Sequence, residues 1–268
     1  MNLILDMDGV LWRGDEPIGN LAEIFGRMQD RGWRYVFATN NSTRTPEEYV
    51  ARLKRFGVTA EPWQVVTSSQ AVAELIRREH PQVENVFAIG ENGLMRALEE
   101  RGLCPLPVER AQEAQAVVAG LDRQINFAKM VEATLLVRRG VPFYATNPDK
   151  TFPTPRGEIP GAGAWAAVII TASGITPRFA GKPAPYLIEL ALQRLGSSRE
   201  ETWVVGDRLE TDIAAAQAVG CRSVLVLSGV STRQQAETWS PPPDLVVENL
   251  AALLEFDGTA RSFIVRRS

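Results

Sequence analysis

Short β-forming runs alternate with amphipathic helical stretches along nearly the whole chain, and this alternation restricts the fold more than any other feature. Residues 2–6 are apolar and strand-like. Residues 20–31 then carry Leu21, Ile24, Phe25 and Met28 at helical spacing, with Gly32 as a stop. Residues 33–39 read as a second strand, and Thr45-Pro46-Glu47-Glu48 opens a helix with a cap residue, a proline at its first position and acids in its first turn. Residues 64–67 and 68–79 continue as strand and helix. The pattern returns after residue 177, with strands at 178–180, 202–205, 222–227 and 245–247 and helices at 186–195, 212–219 and 250–254. Such alternation specifies an α/β fold, a parallel sheet with helices on both faces.

The middle of the chain repeats this grammar on its own account. Residues 86–89, 91–101, 116–119, 127–138 and 142–146 form a βαβαβ-like series, followed by a loop at 147–160 holding four prolines. The apolar stretch after it, to about Ser173, fits a helix or a strand. With 268 residues the chain exceeds the usual domain size of about 100–150 residues. The expected organisation is therefore a core of residues 1–76 plus 178–268 with an inserted α/β domain at 77–177.

Composition narrows the chemistry. The net charge is −3, and no dense Lys/Arg cluster is present, which argues against a nucleic-acid or membrane-surface partner. Arg261, Arg266 and Arg267 read as a solvated tail. No apolar run reaches the roughly 20 residues needed to span a bilayer, no secretory leader is visible, and the two separated cysteines suit a reducing compartment; the expected location is cytoplasmic. Cys104 and Cys221 form no metal-binding pattern. The single histidine, His80, lies at a polar helix end, which argues against histidine-dependent triads and zinc sites. Chemistry must then run on carboxylates, lysine and a bound metal ion.

Ligands of open parallel sheets bind outside the carboxyl ends of the strands. Each conspicuous polar cluster sits at such an end: Asp6 and Asp8 after the first strand, Thr39-Asn40-Asn41 after the second, Lys182 and Asp207 after later ones. Singly, these are a turn, a helix cap and a loop; their joint placement is what carries weight. Period-2 alternation would put Asp6 and Asp8 on one face, where their charges repel unless a cation intervenes. Together the residues suit phosphoryl transfer. A divalent cation with hard oxygen ligands, Mg2+, would offset the repulsion between a carboxylate and a phosphate. Asp6 would attack phosphorus, and Asp8 would protonate the leaving oxygen and later activate water. Lys182 and the groups around Thr39 and Asn40 would hold the phosphoryl oxygens. Asp6, a carbonyl near Asp8, and Asp207 would supply metal ligands. Asp212 is either support for Lys182 and metal waters or the cap of the helix it precedes. Asn147, Pro148, Asp149 and residues 120–123 are candidates for substrate recognition or ordinary loop chemistry; Trp12 and Arg13 line an entrance or pack.

DMDGVL, TNN, GKP and GDRLETDI, in that order, resemble the four motifs of the haloacid dehalogenase (HAD) superfamily. DGVLWRG, ATNNSTR and ATNPD are similar to its NagD-like, 4-nitrophenylphosphatase branch. The resemblance covers residues 2–248. It implies a Rossmann-like core with a C2-type α/β cap, Asp6 as nucleophile, and Asp8 as general acid/base. It further implies Thr39 and Asn40 as phosphate contacts, with Asn41 beside them, Lys182 as the charge-stabilising lysine, and Asp207 with Asp6 and Asp8 at a Mg2+ site. Glu210 stands where the family often has Asp. The expected activity is Mg2+-dependent hydrolysis of a small phosphorylated metabolite (a sugar phosphate, nucleotide or nitrophenyl phosphate) by a monomer or homodimer. A phosphomutase and a non-enzymatic phosphoacceptor are the rivals. The former would yield an isomer rather than phosphate, and the latter a stable acyl-phosphate without turnover.

Overall fold

The computed structural model describes residues 1–154 and 156–255. The strands are, in chain order, β1 (Asn2–Leu5), β2 (Trp12–Arg13), β3 (Glu16–Pro17), β4 (Arg34–Thr39), β5 (Val65–Thr67), β6 (Asn85–Ile89), β7 (Cys104–Pro105), β8 (Ala116–Ala119), β9 (Phe143–Ala145), β10 (Thr151–Thr154), β11 (Gly157–Pro160), β12 (Arg178–Phe179), β13 (Thr202–Gly206), β14 (Arg222–Val226) and β15 (Leu245–Val247). The chain divides into two compact units. Among the described residues, one holds Met1–Thr39, Tyr49–Val66 and 183–255; the other holds Asn40–Glu48 and Thr67–Lys182. The insertion expected at 77–177 lies wholly inside the second unit. The basic residues Arg261, Arg266 and Arg267 lie outside the described residues.

The first unit is built on a six-stranded sheet in the order β15-β14-β13-β1-β4-β5. β1 pairs parallel with both β13 and β4, β13 with β14, and β14 with β15. These strands are nearly continuous apolar runs because both faces are covered. On one face Leu3, Leu5, Tyr35, Phe37, Val205, Val224 and Val226 join Leu21, Ile24, Phe25 and Met28 of helix Leu21–Asp30 in one core. On the other, Ile4, Val36 and Val204 are equally buried, while Leu225 and Val246 pack on Leu209, Ile213 and Ala236. Strands that follow β1 in sequence add on one side and the later ones on the other, so the order reverses beside β1. That reversal opens the crevice in which ligands of such sheets bind.

The second unit has its own parallel sheet, in the order β12-β9-β8-β6-β7. Phe87, Ile89, Val117, Ala119, Phe143 and Ala145 face a core completed by helices Phe127–Arg138 and Ala162–Ser173. The intervening residues Val86, Ala88, Val118 and Tyr144 are also buried, as two covered faces require. The ambiguous apolar stretch is thus a helix. Twelve residues is long for a strand, and Gly174, at φ +76°, ends it in the left-handed conformation that glycine tolerates. Part of the expected proline loop is instead an antiparallel pair, β10 with β11, in register from Thr151 opposite Pro160 to Thr154 opposite Gly157. A two-stranded ribbon is all edge, and edges tolerate the prolines that suggested a loop. No helix among the described residues is long and apolar enough to cross a membrane.

Phe37 is fully buried and its ring meets Phe25 and Tyr35 at 5.7 and 5.6 Å between centroids. Phe37→Ala is expected to lower the unfolding free energy by about 3–5 kcal/mol in a urea titration; a loss below about 1 kcal/mol would contradict this packing. The exposed Cys104 should react promptly with a disulfide reagent at pH 8. Cys221, whose thiol burial pushes up to about 11, should react only after denaturation.

Candidate active site

The carboxyl ends of the adjacent strands β4, β1 and β13 carry Thr39, Asp6 and Asp207. Asp6 follows directly on β1 and extends its ladder, its N–H donating to the Val205 carbonyl at 2.9 Å. Asp207 follows directly on β13. After it, residues Leu209–Ile213 form a π-helical turn, in which the Ile213 N–H reaches back to the Arg208 carbonyl. The helix expected at 212–219 therefore begins as this wider turn and becomes α-helical only over Ala214–Val219. Such turns insert a residue into a helix and cluster at functional sites. Here the turn carries Asp212.

Asp6, Asp207 and Asp212 are all buried, and each offers a carboxylate oxygen such that the three atoms lie within 4.8 Å of one another. Asp212 does not cap the helix that follows; its Oδ2 accepts the Arg208 N–H at 3.0 Å, within the π-helical turn itself. The Asp8 carboxylate is not one of that trio. β1 ends at Leu5, and the chain then turns on the Met7 carbonyl, which accepts the Leu11 N–H at 2.8 Å. Strand alternation therefore does not relate Asp8 to Asp6. The Asp8 carboxylate instead accepts the indole N–H of Trp12 at 2.9 Å.

The loop after β14 is a contributor that sequence reading missed. The Val230 N–H donates to Asp207 Oδ2 at 2.8 Å, and the Ser231 N–H to the Asp207 carbonyl at 3.0 Å. A Cβ on Gly229 would fall 1.9 Å from Asp207 Oδ2, and one on Gly9 2.4 Å from the same atom. Gly9 has φ +83°, so both its backbone and its surroundings require glycine. A Cβ on Gly206 would lie 2.1 Å from that of Asp212. The available signal was the glycine of Ser228-Gly229-Val230, directly after a buried strand, where a backbone approaches closely.

The second unit holds Lys182, Asn40 and Asn41. Lys182 is buried, and the Asn40 side chain pairs with its backbone as another strand would. Asn40 Oδ1 accepts the Lys182 N–H at 2.8 Å, and Nδ2 donates to the Lys182 carbonyl at 2.9 Å. The same Nδ2 lies 3.2 Å from Asp149 Oδ2. The Asn40 carbonyl accepts from Asn147 Nδ2 at 2.7 Å and from Ser68 Oγ at 2.5 Å. A Cβ on Gly181 would come within 2.6 Å of Asn40 Oδ1. Asn147 and Asp149 thus hold the loop that carries Asn40. Asn41 makes a local turn, its Oδ1 accepting from the N–H and hydroxyl of Thr43.

Other candidates are engaged structurally. Asp122 is buried against Lys129 at 2.7 Å. Arg123 pairs with Glu91, and this hydrogen-bonded partner holds the Glu91 carboxyl below its ordinary range. Trp12 is fully buried, and Arg13 donates to the Ser228 carbonyl at 2.6 Å. His80 ends helix Ser68–Glu79, as its sequence context indicates.

A haloacid dehalogenase-like hydrolase family model matches residues 3–104, and a second model of HAD-like hydrolases matches residues 179–253. An acid sugar phosphatase of Staphylococcus aureus is 36% identical over 247 residues, covering 92% of this chain and 94% of that protein. The chain belongs to the haloacid dehalogenase superfamily, in its NagD-like phosphatase branch. Solved structures agree. The p-nitrophenyl phosphatase of Archaeoglobus fulgidus aligns with a TM-score of 0.87 at 35% identity, over 95% of this chain and 98% of that one. NagD from E. coli aligns at 0.86 and 32%, over 93% and 96%. The glycerol phosphate phosphatase of Mycobacterium tuberculosis in complex with magnesium aligns at 0.87 and 36%, over 94% and 75%. Three buried carboxylates converging within 4.8 Å are the hard-oxygen donor set that a divalent cation takes. In this phosphatase the close approach of Gly229 to Asp207 should not survive a side chain. Gly229→Ala is expected to weaken divalent-ion binding at least about tenfold by calorimetry, the scale on which groups supporting metal ligands act.

Proposed function

We propose that this phosphatase hydrolyses small phosphate monoesters, with Mg2+ as cofactor, through an aspartyl-phosphate on Asp6. The observation that carries the reading is the buried trio of Asp6, Asp207 and Asp212 at the reversal point of the parallel sheet. The acid sugar, p-nitrophenyl and glycerol phosphate phosphatases among its relatives support the substrate class. A Mg2+ ion held by Asp6 and Asp207, with Asp212 in direct or water-mediated contact, would lower the electrostatic barrier between carboxylate and phosphate.

The chain's own residues divide the remaining work. An Asp6 oxygen attacks phosphorus as the ester bond breaks, and Asp8 gives its proton to the departing oxygen. In the second step the Asp8 carboxylate takes a proton from water, whose oxygen attacks the phosphorus and frees Asp6. Lys182 and the hydroxyl of Thr39, with the amides beside it, stabilise charge on the transferring phosphoryl group. Asn40 serves through its hold on the Lys182 backbone. Phosphate release, as opposed to an isomeric phosphate ester, distinguishes this reaction from mutase chemistry.

Asp6→Asn should lower turnover of 4-nitrophenyl phosphate by at least about a thousandfold, as loss of a nucleophile does, while leaving thermal unfolding near that of the wild type. Hydrolysis near the wild-type rate by that variant would overturn the assignment of Asp6. Chelation with EDTA should abolish turnover and added Mg2+ restore it; turnover indifferent to chelation would remove the metal from the reading.

A further inference from the structure

The indole of Trp12 has no access to solvent, and a buried indole N–H requires an acceptor. The acceptor is Asp8 Oδ1, at 2.9 Å. The two residues also meet through the backbone: Asp8 bridges Trp12, and the Gly9 N–H donates to the Trp12 carbonyl at 2.8 Å. The ring itself is clamped. The Arg52 guanidinium carbon lies 4.1 Å from the indole centroid, and the Phe56 ring lies 5.9 Å away at 38°. Arg52 lies in the last turn of helix Pro46–Arg55, and Phe56 directly follows that helix. Arg52 is tied in turn to the β2–β3 hairpin, donating to the Gly14 carbonyl and lying 3.7 Å from Asp15.

We propose that Trp12, held by Arg52, is the positioning residue that sets the rotamer of Asp8 for proton transfer to the leaving group. The inference rests on the assignment of Asp8 as general acid. An indole donor on Oδ1 selects Oδ2 as the oxygen that carries the transferable proton. A guanidinium over the ring attracts its π electrons and strengthens the N–H as a donor. As the bond from Asp6 to phosphorus forms and the ester P–O bond breaks, its electron pair passes to the ester oxygen. That oxygen takes the Oδ2 proton, leaving Asp8 as the carboxylate. A misoriented Asp8 would cost most where the departing oxygen is strongly basic, and little where it leaves readily as an anion.

The test compares kcat/KM for phenyl phosphate and glycerol phosphate with that for 4-nitrophenyl phosphate, since this ratio reports steps up to departure of the leaving group. Trp12→Phe keeps an aromatic ring under Arg52 and removes the N–H. It is expected to lose about 10- to 100-fold on the two basic leaving groups, within the reach of general acid catalysis, and less than about threefold on 4-nitrophenyl phosphate. Arg52→Gln, which leaves the indole in place, is expected to show the same leaving-group dependence at about 3- to 10-fold, and it carries the test if Trp12→Phe does not fold. Equal losses on all three substrates, or none, would overturn the proposal by leaving Trp12 and Arg52 a packing role. Asp8→Asn separates the two levels. If it shows a steep leaving-group dependence and the Trp12 and Arg52 variants do not, only the positioning role fails; if it shows none, the assignment of Asp8 as acid fails and the positioning role with it.

Discussion

Three carboxylates converge where the strand order reverses, and much of the first unit follows from holding them there. Unit charges less than 5 Å apart repel by roughly 3 kcal/mol or more at an effective dielectric of about 20, and the carboxylates of Asp6, Asp207 and Asp212 make three pairs at that separation. Hydrogen bonding offsets part of this: the Val230 N–H meets Asp207 and the Arg208 N–H meets Asp212. The backbone supplies these donors only because Gly9, Gly206 and Gly229 let it approach the carboxylates without a Cβ in the way. The π-helical turn has the same origin. An α-helical start at Leu209 would place the 212 side chain at a different angle, and the extra residue per turn aims it toward Asp6 and Asp207.

The second unit solves the complementary problem of a buried cation. Lys182 sits at 2% exposure, and a buried ammonium is costly unless it is paired or positioned for an anionic ligand. Its backbone is fixed by a side chain rather than a strand, with both polar atoms of Asn40 used as a peptide would use them. Asn147, Asp149 and Ser68 then fix Asn40. This chain of contacts explains why an asparagine suits position 40. Asp there would offer no N–H to the Lys182 carbonyl, and Gln would carry its amide one bond too far.

The parts of this structure that were legible in the sequence are those set by periodicity and by local stop signals. Helices Ser68–Glu79, Phe127–Arg138 and Tyr186–Leu195 and strands β8 and β15 fall where apolar spacing and flanking polar residues placed them. Family membership was readable from four short motifs because their order and their strand-end positions are jointly hard to satisfy. What escaped was set by contacts between distant segments. Nothing around Gly229 says that its neighbour's N–H will meet Asp207, since that depends on β13 and β14 lying side by side. The pairing of β10 with β11 was hidden by prolines that only an edge can hold. Residues 120–123 stood open between substrate recognition and ordinary loop chemistry, and their pairing, Asp122 with Lys129 and Arg123 with Glu91, depends on segments that no local spacing names.

Asp6 and Asp8 show most clearly why spacing alone underdetermines chemistry. Two residues apart, they suggest one face and one cation. The strand ends before either, and the turn on Met7 gives each a different neighbourhood. Asp6 stays in the ladder and joins two other carboxylates, an oxygen donor set that suits a divalent cation. Asp8 takes an indole N–H, a neutral and directional donor that fixes an orientation without adding charge. A nucleophile needs its negative charge made tolerable, whereas a proton donor needs its oxygen aimed. In the roles proposed for them the same residue type would meet both needs: a cation at the trio would offset the charge on Asp6, and the clamped Trp12 would aim Asp8.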